Sequence, residues 1–164
     1  MACASIIVWG AAVIRAETIA DSRRLSVDAP ALLVTAAVAV PFDIVGPTEL
    51  PIGYELENVE WTVPSRISGQ TASTLDLWYS DAGGNRIHVW QTDVKAFGDT
   101  DPLAGGRALR LGSVDWRVVD PWLGPQGKQI AVFTARLNDG TTISIDGPFE
   151  STYMYGMVEA LVTE

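Results

Sequence analysis

A single cysteine, Cys3, and a single histidine, His88, are the only thiol and imidazole groups in this sequence. One cysteine excludes an internal disulfide and any thiolate metal cluster. One histidine with one distant cysteine falls short of the about four ligands that a zinc ion takes, so no metal site and no cofactor are expected. Basic residues are also few, with 11 Lys and Arg against 20 Asp and Glu, a net charge of -9. They are scattered and have no aromatics interleaved, so the sequence lacks the cluster that a phosphate backbone requires, and nucleic acid is not an expected partner. Glycine pairs occur at Gly83-Gly84 and Gly105-Gly106, but neither precedes a Lys-Ser pair or opens a helix as a phosphate loop must. Internal repeats and low-complexity tracts are absent.

Long hydrophobic runs are missing too. Residues 2–14 are uncharged and mostly apolar until Arg15 interrupts, and 31–40 form a second such run. Both are shorter than the about 20 residues that a spanning helix needs. Three readings of 2–14 stay open: a buried helix of the domain, a signal-peptide core, or the trailing end of a membrane helix that would tether the chain. No Lys or Arg precedes the run and no clear small-x-small site follows it, which weakens the signal reading.

What is present is enough for a core. The 164 residues are 48% apolar and only 19% charged, the profile of one ordinary folded domain rather than a disordered chain. Residues 5–25 read as a helix that turns amphipathic and ends in Asp21, Arg23 and Arg24. Asp28 suits an N-cap and Pro30 a first turn, which predicts a second short helix over 31–40, stopped by Pro41. The stretch 42–53 holds Gly46, Pro47, Pro51 and Gly53 and must be extended and irregular. The chain therefore divides into an N-terminal helical segment, 1–40, and a sheet domain, 41–164.

Strand signals begin at Tyr54, where Val59, Trp61 and Val63 alternate with polar residues. A polar loop over 64–73 follows, and then three hairpins whose registers can be chosen by burial. A three-residue loop, Ala82-Gly83-Gly84, pairs Tyr79 with Ile87 and Leu77 with Val89, whereas a two-residue turn would split the apolar sets between faces. Gly112-Ser113 pairs Leu109 with Trp116 and Leu111 with Val114. Asn138-Asp139-Gly140, with Gly140 left-handed, puts Phe133, Ala135, Ile143 and Ile145 on one face. The C-terminus reads as a helix capped by Ser151 or Thr152, with Met154, Met157, Val158 and Leu161 in one stripe that suits a core. The fold class is α+β: a curved antiparallel sheet of about seven strands with N-terminal helices and a C-terminal helix packed on it.

Catalytic chemistry finds little support. His88 needs a nucleophile or a carboxylate within reach to act as a base, and the register places Trp78 opposite it. Glu55 and Glu57 share a strand face, and Asp115 and Asp120 flank Trp116, but carboxylates so spaced on a strand are usually solvated, and glycosidase chemistry needs a cleft between them. Gly98, Asp99 and Asp101 resemble a calcium loop only faintly, lacking its downstream glutamate. The tryptophans say more. If Leu77, Tyr79, Ile87 and Val89 face the core, then Asp76, Trp78, His88 and Trp90 share the opposite face. Either the N-terminal helices cover that face, or it is an exposed aromatic patch for a ligand or partner.

Several segments carry a resemblance: Pro41-Phe42-Asp43-Ile44-Val45, Pro47-Thr48-Glu49-Leu50-Pro51-Ile52-Gly53-Tyr54, Leu77-Trp78-Tyr79-Ser80 with Ile87-His88-Val89-Trp90-Gln91, and Asp139-Gly140-Thr141 before a strand and helix. They resemble the extracytoplasmic domain of bacterial anti-sigma factors and related lipoproteins, grouped with the LolA-like fold, over about three quarters of the chain. The chain departs from the anti-sigma pattern in having no zinc-binding N-terminal domain. The resemblance implies a sheet curved around a helix, no catalytic residues, and a role outside the cytoplasm or at the membrane. The expected function is thus a non-enzymatic binding or sensing domain for a hydrophobic small molecule or a protein partner. Trp78, His88, Trp90, Met154 and Met157 are its candidate ligand-binding residues. A small secreted carbohydrate-active enzyme and a structural partner domain of a larger complex are the alternatives.

Overall fold

A computed structural model of the chain describes residues 29–47, 50–65, 71–94, 101–123, 129–148 and 151–160. The helix expected over 5–25 and the cap expected at Asp28 lie outside these residues. The first described helix, α1 (Ala29–Ala39), begins two residues earlier than the sequence predicts and takes Pro30 into its first turn. Pro30 fits there because an N-terminal N–H has no intrahelical acceptor to lose. Ala29, Ala36 and Val40 are buried and Leu32 and Leu33 partly so, a spacing that turns one side of α1 to the sheet, against β1. Val34 and Val38 point the other way and are exposed.

Seven strands form one open sheet: β1 (Glu55–Thr62), β2 (Thr74–Ser80), β3 (Arg86–Thr92), β4 (Arg107–Leu111), β5 (Val114–Leu123), β6 (Gln129–Arg136) and β7 (Thr142–Gly147). Their order is β1-β2-β3-β7-β6-β5-β4, and every neighbouring pair is antiparallel. Two meanders, β1-β2-β3 and β4-β5-β6-β7, are thus joined at the centre by β3 and β7. The α+β class and the antiparallel sheet agree with the sequence reading.

All three hairpins have the expected registers. Tyr79 faces Ile87 and Leu77 faces Val89; Leu109 faces Trp116; Phe133 faces Ile145 and Ala135 faces Ile143. The two three-residue loops end on left-handed glycines, Gly84 (φ 75°) and Gly140 (φ 91°), a conformation open to glycine because it has no Cβ. In β1 the bulge between Leu56 and Asn58 resets the alternation, so Leu56 packs with Val59 and Trp61 against the core. The strand stops at Thr62, and Val63, expected within it, is exposed.

One face of the sheet carries the core: Leu75, Leu77, Ile87, Val89, Trp116, Val118, Phe133, Ile143 and Ile145 are almost completely buried. The irregular stretch after α1 crosses this face and is held by Gln91. The Gln91 amide donates to the Val45 carbonyl (2.8 Å) and accepts from the Val45 N–H (3.0 Å), as a neighbouring strand would. Gly46 lies close to Tyr79, where an added Cβ would stand 3.0 Å from the phenolic oxygen. Burial pushes the Tyr79 hydroxyl up to about 12. The C-terminal helix, α2 (Ser151–Ala160), closes the other end of the same face. Met154, Met157 and Val158 are buried in the core, Tyr155 stands edge-on to Phe133 (5.2 Å, 89°), and Arg107 donates to the Tyr155 hydroxyl. Leu161 lies outside the described residues. Among the described residues no helix is long and apolar enough to cross a membrane.

Candidate functional site

Strand alternation sends Asp76 and Trp78 of β2, His88 and Trp90 of β3, and Ser144 and Asp146 of β7 to the face opposite the core. The pairings align them in two rows. Glu60, Asp76, Trp90, Ser144, Thr134 and Arg117 follow one another across the strands, and beside them run Asn58, Trp78, His88, Asp146, Val132 and Val119. The expectation that the N-terminal helices cover this face fails for α1, whose Ala36 belongs to the core on the other side. One end of the face is closed, since Thr92 is fully buried and donates to the Ser73 carbonyl (2.8 Å). The two rows beyond it are half-buried to exposed, apart from the buried Thr134.

His88 is the centre of the arrangement. Trp78, directly opposite it, stacks on its ring with centroids 3.8 Å apart and planes at 7°. The hairpin register alone gives His88 this aromatic neighbour and no carboxylate, whereas the folded sheet supplies two. Asp76, diagonal across the hairpin, lies 2.8 Å from Nε2, and Asp146, directly opposite on β7, lies 3.2 Å from Nδ1. Burial opposes a charge on the ring, but hydrogen bonds and attraction from Asp146 and Asp76 outweigh it and raise the pKa to about 9. His88 is therefore an imidazolium at neutral pH, a donor at both nitrogens with no lone pair to offer as a base. The imidazole draws the carboxylates to opposite edges of one ring, which keeps them from converging on a single ion. Among the described residues no group of His, Cys, Asp and Glu is arranged to hold a metal.

The other candidates divide between the two faces. Trp90 is half-buried beside Asp76, on the side of Trp78 and His88. Met154 and Met157 are on the far side of the sheet, inside the core. Of the carboxylates singled out for hydrolase chemistry, Glu57 pairs with Arg86 (3.0 Å), and Asp115, largely exposed, pairs with Arg110 (3.1 Å). The Asp120 side chain lies outside the described residues, as do Gly98 and Asp99. Asp101 caps its own turn, accepting from the Leu103 N–H (2.9 Å).

Asp146 is the site residue the sequence reading missed. Its link to His88 depends on β3 pairing with β7 across 58 positions, and no turn signal marks that pairing. Compared with known protein families, curated proteins and solved structures, the chain finds no match.

Proposed function

We propose that this chain is a non-enzymatic binding domain that engages a protein partner through the open sheet face around Trp78, His88 and Trp90. The observation that carries this reading is the setting of His88 between Asp76, Asp146 and Trp78. With a carboxylate at each nitrogen and an indole against its ring, it is a fixed cation, and the carboxylates that could serve as acid or base are bound to it. A site so arranged organises a surface rather than a reaction. Two tryptophans beside a locked ion triad provide rigid, amphipathic contact area of the kind that anchors protein interfaces.

The protein ligand is preferred to an apolar small molecule because Met154 and Met157, the two aliphatic candidates for ligand binding, pack within the core. An extracytoplasmic location, which the anti-sigma-like resemblance implies, is part of the same proposal. The experiment is site-specific photo-crosslinking in the source cell, with a benzophenone amino acid in place of Trp90 or of Val38 on the outer side of α1. Protein adducts from position 90 and none from 38 are expected. Adducts from 38 alone, or from neither, would refute the proposed surface.

A further inference from the structure

The open face is electrically two-sided. Among the described side chains, strands β1, β2, β3 and β7 give it Glu55, Glu57, Glu60, Asp76 and Asp146 against Arg86 and the protonated His88, while β6, β5 and β4 give it Arg136, Arg117 and Arg110 against Asp115. Cancelling the pairs Arg86–Glu57 and Arg110–Asp115 leaves the contrast in place. One half keeps Glu55, Glu60 and the net negative Asp76–His88–Asp146 triad; the other keeps Arg117, Arg136 being engaged by other groups of the chain. A face divided in this way complements a copy of itself under a two-fold rotation about an axis along the strands. The central strand of the seven is β7. An axis along β7 sets β3 over β6, β2 over β5 and β1 over β4 of the second copy.

We infer that the occupant of this face is a second copy of the chain, packed sheet to sheet about that axis. The inference rests on the binding-face reading above and names its partner. The two rows supply the contacts. In one, Asp76 comes over Arg117 and Ser144 over its own counterpart. In the other, Trp78 comes over Val119, a large apolar side chain left 39% exposed, and His88 comes over Val132. The rotation that sets Asp76 over Arg117 therefore also sets Trp78 over the exposed Val119. Asp146 meets its own copy on the axis with its charge held by His88. An axis across the strands would instead set β1 on β1 and acid on acid.

The size of the face sets the strength. Seven strands about 4.8 Å apart span about 29 Å, and a depth of six residues gives about 600 Å² in projection. That is below the about 800 Å² per partner of a standard stable interface, so the dimer is weak, and its charge matching makes it salt-sensitive.

The test uses the full chain in sedimentation equilibrium, from micromolar to about 1 mM. A monomer–dimer equilibrium is expected that Arg117→Glu and Val119→Asp each weaken about tenfold or more and that Val38→Asp leaves unchanged. Ser144→Cys in a Cys3→Ser background should be captured as a covalent dimer by a short bis-maleimide, whose spacer spans the about 10 Å between packed sheets, and Val38→Cys should not. A monomer at every concentration, or association that only the Val38 variants alter, overturns the self-pairing. Adducts to a different protein from position 90, with the purified chain monomeric, would overturn the second copy as partner and keep the binding face.

Discussion

Trp78 lies flat on His88, 3.8 Å between ring centroids, while Asp76 and Asp146 hold the two nitrogens of the same imidazole. Three strands, β2, β3 and β7, are tied together by this contact on the face away from the core. The cation on His88 is what makes the tie strong, so the stability of the sheet is linked to its protonation. The folded-state pKa of about 9 lies above the ordinary 6.5. Stability from this group is then complete below about pH 6.5 and is lost as pH rises through 9, by at most roughly 3 kcal/mol because solvent screens the partly exposed triad. Urea denaturation at pH 6 and at pH 9.5 should show that loss, and His88→Gln should abolish it. Tyr79, with its hydroxyl pushed up to about 12, contributes its own loss only above pH 10, outside this window.

Trp116 is the largest side chain in the core and is 1% exposed. Trp116→Ala leaves a cavity between β4 and β6 and should cost about 3–5 kcal/mol in urea denaturation. A cost under about 1 kcal/mol would place the β4–β5 hairpin outside the cooperative unit.

Gln91 holds the stretch after α1 through both polar groups of Val45. Gln91→Leu keeps the volume and removes the donor and acceptor. About 1–3 kcal/mol is expected for each backbone group left unpaired. Amide hydrogen exchange should accelerate at Val45 while the strands keep their protection.

Gly106 precedes β4 with φ of 79°, and a Cβ there would stand 2.6 Å from the Val118 carbonyl oxygen. Gly106→Ala should therefore cost at least about 2 kcal/mol, combining left-handed strain with a backbone clash. Thermal unfolding measures it. Gly105→Ala, where no atom lies within 4 Å of the added Cβ, is the matched control.

The hairpins were legible in the sequence because each is local. A glycine-bearing turn and the parity of its flanking apolar residues fix which side chains face the core, and Tyr79 with Ile87 or Phe133 with Ile145 then follow. The same parity placed Trp78, His88 and Trp90 on one face. What joins the meanders was not legible. No local pattern announces that β7 inserts beside β3, so Asp146 stood far from His88 until the sheet was assembled. Gln91 was missed for a different reason: it sits at a core-facing position where alternation calls for an apolar residue, and its role depends on a strandlike segment 46 positions away. The start of α1 was misjudged by two residues because the helix was counted only after Pro30.

The most direct test of the account is the protonation state of His88, read by nitrogen-15 chemical shifts of the imidazole across pH 5–10. The reading of this face as a binding surface rather than an active site requires both ring nitrogens to carry protons at pH 7.5, with a single titration centred near 9. A neutral imidazole at pH 7.5, titrating near the ordinary 6.5, would free a nitrogen to act as a base and contradict it.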